Sequence, residues 1–418
     1  MLSAAKHLCS SLQPVESEEK LHRSFARRKA WRAQDDRSGR FFDSFGEGQG
    51  RERYCQQLSG TGRGEEENSK MATTAYSLGT YCFRPEEFLP QRLFEAITDV
   101  RVDRPEVILA EATARRRRSR LTLDGKLVVL ATDHPGRRVT NLPGDPLGMG
   151  DRHSYLARAL RVLTTPGCDG IMGTTDFIED LLIVNALIRE SGGESLLDGK
   201  ILIGCMNRGG HAGVEGEIDD RFTSFTARQL KRMNFDGGKL MYRLDPTDER
   251  SIKAVSDCAQ AMTELYREGL YAFLEPMSVK KNAAGGYDTV KTVEALVRDV
   301  GAAAALGESS ARTFLKISYT EGYDRVAKAT TLPILMLGGA PRENPTSTLS
   351  EFAAGMKAAA NVRGVMMGRN VTFAPREDPR AVAAAVCGIV HENLTAEESL
   401  DRLAAERGRE METFASFR

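Results

Sequence analysis

From residue 126 onward, short apolar, β-branched runs alternate with longer stretches of helical periodicity, and this alternation limits what the chain can fold into more than any other feature. The strand candidates are 127–132, 170–173, 200–205, 239–243, 270–274, 313–318, 333–337 and 364–368. Successive starts are 20 to 43 residues apart. Every gap therefore has room for a helical crossover, which takes about a dozen residues or more and makes neighbouring strands parallel. Helices are predicted over 153–164, 176–191, 248–268, 289–306, 348–360 and 379–391. Eight β/α units in one stretch predict an α/β fold, specifically a closed (β/α)8 barrel of the TIM type. A doubly wound open sheet is the structural competitor, because periodicity does not report closure.

The flanks differ. Residues 1–70 hold only 20 apolar residues against 13 Lys+Arg and 11 Asp+Glu, too few to bury much, and are expected to form a disordered or non-native tail. Met71 opens a more protein-like stretch, so the native chain is open to starting there. Residues 71–125 are read as a helical lead-in, with a helix over 86–98 covering the barrel floor. The barrel occupies 126–393, and 394–418 form a C-terminal helix announced by a capping box at Thr395 and Glu398. The run Arg115 to Arg118 is read as a solvated approach to the first strand.

With 58 basic and 58 acidic residues, the chain gives no electrostatic case for nucleic acid or an anionic membrane as partner. Seven cysteines without CxxC spacing, and no signal-like start, lead us to expect a cytoplasmic protein. The longest apolar run, 381–390, is too short to span a bilayer. A small-molecule substrate is the expected partner, and assembly into a homo-oligomer is left open.

In such a barrel the chemistry belongs at the C-terminal strand ends, where alternate side chains point inward. The sixth candidate strand carries Lys316 inside an apolar run, a costly place for an ammonium. The fourth supplies Lys239 and, on the same parity, Arg243. The fifth ends in Glu275, and the first in Asp133 and His134. This set suits an amine nucleophile kept neutral by desolvation and a neighbouring cation. Lys316 is then the nucleophile, with Lys239 or Arg243 as the like charge, Glu275 as acid/base and Asp133 orienting a substrate hydroxyl. Gly338, Gly339, Gly368 and Arg369, after the last two strands, stand where barrel phosphate sites often form.

The segments KLVVLATDHPG (126–136), FLEPM (273–277), TFLKISYTEGYDRVAKATTLPILMLGG (313–339) and VRGVMMGRNV (362–371) resemble the class I aldolases of the deoxyribose-phosphate and tagatose-bisphosphate aldolase superfamily. They are also similar to the archaeal-type class I fructose-bisphosphate aldolases. The resemblance implies a carbon–carbon lyase acting through a lysine Schiff base on a phosphorylated sugar or sugar acid, with no metal or organic cofactor. It places the Schiff-base lysine on Lys316, the first-strand aspartate on Asp133, the strand-five acid on Glu275, the strand-four lysine on Lys239 and the phosphate-binding backbone on Gly338, Gly339, Gly368 and Arg369. A 6-phospho-5-dehydro-2-deoxygluconate-like substrate of inositol breakdown is one candidate. The loop 135–152 and the segment 207–217 match no motif of that group and are expected to shape substrate choice.

Two rival readings remain at this point. His134, His153 and His211 fall after the first and third strands, and three imidazoles suit a metal-dependent, class II-type aldolase or lyase. The other rival is a catalytically inactive barrel that only binds.

Overall fold

The computed structural model describes residues 76–214, 217–283 and 285–417. The N-terminal tail through residue 75, including the expectation for 1–70, lies outside them. Three lead-in helices, α1 (Pro85–Phe88), α2 (Gln91–Asp103) and α3 (Val107–Ala114), precede the barrel. The barrel proper runs β1 (Leu127–Ala131), α4 (Arg152–Leu163), β2 (Gly170–Gly173), α5 (Thr175–Glu190), β3 (Ile201–Cys205), α6 (Ala227–Arg232), β4 (Gly237–Leu244), α7 (Arg250–Arg267) and β5 (Tyr271–Lys281). It continues with β6 (Tyr287–Thr289), α8 (Val293–Ala304), β7 (Thr313–Ser318), α9 (Tyr323–Ala327), β8 (Ile334–Leu337), α10 (Thr346–Ala358), β9 (Val362–Met367), α11 (Arg369–Thr372) and α12 (Pro379–His391). A final helix, α13 (Ala396–Glu406), opens on the expected capping box and packs against α12.

Strand order is β4-β3-β2-β1-β9-β8-β7-β5, and β4 also pairs with β5, so the sheet closes on itself. Every barrel pairing is parallel. The chain is thus a (β/α)8 barrel, and the open-sheet alternative falls. One strand was not foreseen. The second half of β5 runs past the rim and pairs antiparallel with β6, forming a hairpin outside the barrel order.

The barrel interior is apolar low down. Leu127, Val129, Ile201, Ile203, Phe273 and Leu335 form a buried inner cluster, with Phe314 stacked on Phe273 at 5.4 Å. A larger apolar cluster fills the space between strands and outer helices. Polar residues enter the interior only toward the C-terminal ends, because the same inward parity that places Phe314 low places Lys316 one step higher.

Two expectations at the N-terminal end need correction. No helix runs over 86–98: the chain breaks at Leu89–Pro90 and restarts at Gln91, since a proline cannot donate within a helix or let the preceding residue stay helical. Nor do these helices cover the floor, for α1 packs on α4 and α2 on α5. The floor is crossed instead by the arginine run. Arg115, whose side chain is fully buried, reaches the carbonyls of Lys200 and Asn234 and the carboxylate of Asp236. Arg117 also meets Asp236, and Arg118 pairs with Asp169 at 2.5 Å. These partners directly precede β2, β3 and β4, so Arg115, Arg117 and Arg118 are tied across the barrel bottom, while the Arg116 side chain alone stays exposed as expected.

Candidate active site

Four of the expected residues meet at the C-terminal mouth, one from each of four strand ends. Lys316 on β7 donates to Glu275 Oε2 on β5 at 3.0 Å. Lys239 on β4 approaches the same oxygen at 3.0 Å and Asp133, just after β1, at 3.4 Å. The two ammonium nitrogens therefore share one carboxylate oxygen. Lys239 and Asp133 are completely enclosed, and Glu275 and Lys316 nearly so.

Burial and charge act differently on the two amines. For Lys316, burial dominates and lowers its pKa, with Lys239 and Arg137 adding to the effect against the opposing pull of Glu275 and Asp133. For Lys239, burial acts the same way but is outweighed by Glu275 and Asp133, and its pKa rises. The carboxyl of Glu275 resists burial with the help of Lys239, Lys316 and Arg137, which hold it well below the usual carboxylate range. Asp133 is likewise kept ionised against burial, chiefly by Arg137 and Lys239. The arrangement thus separates one amine biased toward neutrality from one that keeps its charge.

Above this cluster opens a cleft of about 300 Å³, lined by His134, Arg137, Met241, Glu275, Lys316 and Ser318, and on its far wall by Gly338, Gly339, Gly368 and Arg369. The glycines are built for close approach. Gly339 takes φ +78°, and a Cβ on Gly338 would stand 1.9 Å from the Asn370 side chain. His134 is 8% exposed, and burial, reinforced by Arg137 and Arg369, drives its pKa down, leaving a neutral imidazole. Its Nδ1 and the Nε of Arg369 are buried donors or acceptors without a hydrogen-bond partner.

Arg243 is not brought to the cleft. It lies two residues beyond Met241 on β4, where the strand has passed the barrel rim, and its guanidinium is occupied by Glu217 and Asp220. Parity set its direction, while strand length set its depth. Cys205, in contrast, does reach the cluster, 3.6 Å from Asp133, but burial pushes its thiol up to about 11, so it stays protonated.

Sequence reading missed Arg137 and Ser318. Ser318 was accessible by parity from Lys316. Arg137 was signalled only by its place four residues after Asp133, in a single 3-10 turn, Pro135–Arg137, that neither the strand nor the helix period reports. The three histidines of the metal reading do not converge: His153 sits on α4 and bonds the Leu89 carbonyl, packed edge-on against Phe94. Among the described residues no group of three or more His, Cys, Asp or Glu is placed to hold a metal ion.

A family model described as Cgl0159-like matches residues 125–387, which is more than half the chain. The chain belongs to the Cgl0159-like family. The solved structure of Cgl0159 from Corynebacterium glutamicum is 30% identical, with a TM-score of 0.68 over 73% of this chain and 99% of that one. An uncharacterized aldolase of Saccharolobus solfataricus is 32% identical over 140 residues, which is 32% of this chain and 46% of that relative, so the match spans less than half its length. A fructose-bisphosphate aldolase from Slackia heliotrinireducens shares the fold alone, at 16% identity and a TM-score of 0.51 over 78% of this chain and 97% of that one. The resemblance to aldolases expected from the sequence is thus found for this member of the Cgl0159-like family, which has an aldolase-type barrel. Among the described residues no helix is long and apolar enough to cross a membrane.

Proposed function

We propose that the protein is a class I aldolase, a carbon–carbon lyase that cleaves or forms a phosphorylated sugar or sugar acid through a Schiff base on Lys316. The observation that carries this reading is the shared oxygen: Lys316 and Lys239 both stand 3.0 Å from Glu275 Oε2 in a buried barrel mouth. Lys316, Lys239 and Arg137 face only Glu275 and Asp133, one cation more than ion pairing alone needs. A second lysine, biased the other way, supports a nucleophile and its electrostatic partner.

The distances support the following sequence of steps. Lys316 passes a proton to Glu275 and attacks the substrate ketone as the free amine. Glu275 returns the proton to the carbinolamine hydroxyl, which leaves as water, and the imine keeps the positive charge. Asp133 then accepts the proton of the hydroxyl β to the imine carbon, the carbon–carbon bond breaks, and an aldehyde departs while the electron pair stays as an enamine. Reprotonation of the enamine carbon and hydrolysis free Lys316 and the ketone. Lys239 remains protonated throughout, opposing re-protonation of Lys316 and holding both carboxylates. The unpartnered His134 and Arg369 nitrogens beside the Gly338–Gly339 and Gly368 backbone support a phosphate on that wall. The other expectations of this reading are a single small-molecule partner and a site that works without metal or organic cofactor.

Borohydride reduction in the presence of dihydroxyacetone phosphate tests the proposal. A stable adduct with the mass of the reduced ketone, mapped to Lys316, is the expected result; activity lost to chelators with no adduct formed would overturn it.

A further inference from the structure

β3 ends at Cys205, whereas β4 runs on to Leu244. The last pair in register between them is Cys205 with Lys239. Above that level the edge of β4 that faced β3 has no strand beside it, and its buried peptide groups need partners from elsewhere. Two side chains supply them. Asn207, 1% exposed, accepts the Met241 N–H on Oδ1 at 3.1 Å and donates from Nδ2 to the Met241 carbonyl at 2.5 Å. One step higher, Asp220 Oδ2 accepts the Arg243 N–H at 2.6 Å. Asn207 therefore stands in for the missing strand at one residue, and that residue is Met241.

The Met241 thioether stands between two cations. Arg137 Nη1 donates to it at 3.3 Å and Lys239 Nζ at 3.6 Å. A neutral sulfur is a weak acceptor, so it steadies both groups without cancelling their charge. These are the cations that, after burial, bias Lys316 toward the free amine. We infer that Asn207 is a positioning residue: by clamping Met241 it fixes the sulfur on which Lys239 and Arg137 rest, and so keeps both positive charges beside the Lys316 amine. The inference rests on the lyase reading above and deepens it, giving the first residue of segment 207–217 a role in tuning the amine. Among the described residues, Asn207 is no part of the cleft lining. The other charged groups around Lys316 are Glu275 on β5, Asp133 after β1, Arg369 after β9 and Lys291 after β6, with His134 kept neutral. Without the sulfur, Arg137 and Lys239 are left to Asp133 Oδ2, which they already approach to 3.3 and 3.4 Å, and that pairing masks their charge from Lys316.

Competitive acetylation with acetic anhydride, followed by mass mapping of Lys316, reads the pH at which this amine loses its proton and needs no substrate. In the native protein the midpoint should lie below that of an ordinary lysine. Asn207→Ala should raise it by about one pH unit. Met241→Leu keeps the side-chain volume but removes the acceptor, and should raise the midpoint to a similar extent. The double variant should rise no further, since both changes release the same two cations. Asp220→Asn breaks the neighbouring brace and should lower the melting temperature while leaving the midpoint in place. An unmoved midpoint in Asn207→Ala overturns the inference, as does an equal rise in Asp220→Asn. Should Asn207→Ala fail to fold, Met241→Leu decides in the same way. Borohydride trapping with dihydroxyacetone phosphate separates the two claims. A midpoint that moves as stated in a protein that forms no adduct condemns the lyase reading and leaves the positioning role standing, whereas an adduct on Lys316 with an unmoved midpoint does the opposite.

Discussion

The barrel carries a buried ionic cluster at each end, and the two are built on opposite principles. At the floor, Asp169 and Asp236 each meet an arginine and also accept a backbone N–H, from Val128 and Leu202 respectively, at the start of a strand. Their arginine partners are guanidinia, which do not give up protons in proteins, and one imidazole, His391, stands beside Asp169. At the mouth the cations that share Glu275 are lysines, and Asp133 Oδ1, His134 Nδ1 and Arg137 Nε have no hydrogen-bond partner. At the floor both oxygens of Asp169 and of Asp236 have partners, Arg115 Nε alone being left over, and such a network ties strands together. An unsaturated one with amines whose pKa values are driven apart has proton-transfer capacity and room for a ligand.

Replacing one cation at each end should separate these roles. Lys316→Met removes the amine and should lower kcat by at least about 10³-fold and abolish borohydride trapping. It should leave stability unchanged or raised, because a charge kept in an unfavourable place is gone. Arg118→Met should do the reverse, leaving kcat within twofold of native and costing about 3 kcal/mol in a denaturant titration, since Asp169 then stays buried without its arginine. Activity lost from the floor, or stability lost from the mouth, would break the distinction.

Glu275→Gln should cost less than loss of the nucleophile, about 10² to 10³-fold in kcat, the usual range for a proton-transfer group. The pH dependence sharpens this. Attack requires the free amine, so kcat/KM should rise with pH through the pKa of Lys316, which lies below that of an ordinary lysine. Lys239→Met removes the neighbouring charge that adds to that depression and should move the rise to higher pH.

Most of the barrel was legible because its signal is periodic. Strands such as 313–318 and 170–173 coincide with their predicted spans, and inward parity led directly to Lys316, Lys239 and Glu275. What was not legible lay where neither period applies. Arg137 sits in a turn after β1, and its direction comes from the Asp133 and Met241 groups it meets. The run Arg115 to Arg118 looked like a solvated stretch because its partners, Asp169, Asp198 and Asp236, are 51 to 121 residues away in the chain, each shortly before a strand. Arg243 had the right face and the wrong height, which no pattern of alternation reports.

The smallest expected effect also belongs to the floor. His391, the last residue of α12, places Nδ1 2.8 Å from Asp124 and Nε2 3.3 Å from Asp169. Burial works against its charge, but hydrogen bonds to the two aspartates outweigh it, and its pKa is raised above 6.5. A raised histidine pKa means that the folded state holds a proton the unfolded chain releases. The stabilisation is therefore complete below about pH 6.5 and fades as pH climbs through the folded-state value. His391→Gln should remove it, lowering stability by about 0.5 kcal/mol at pH 6 and by less at pH 9, since the side chain is partly solvated. The shape of the mouth's kcat/KM profile should not move in this variant. If it did, the two clusters would be coupled through the barrel, and the contrast between a fixed floor and a reactive mouth would have to be replaced by one continuous network.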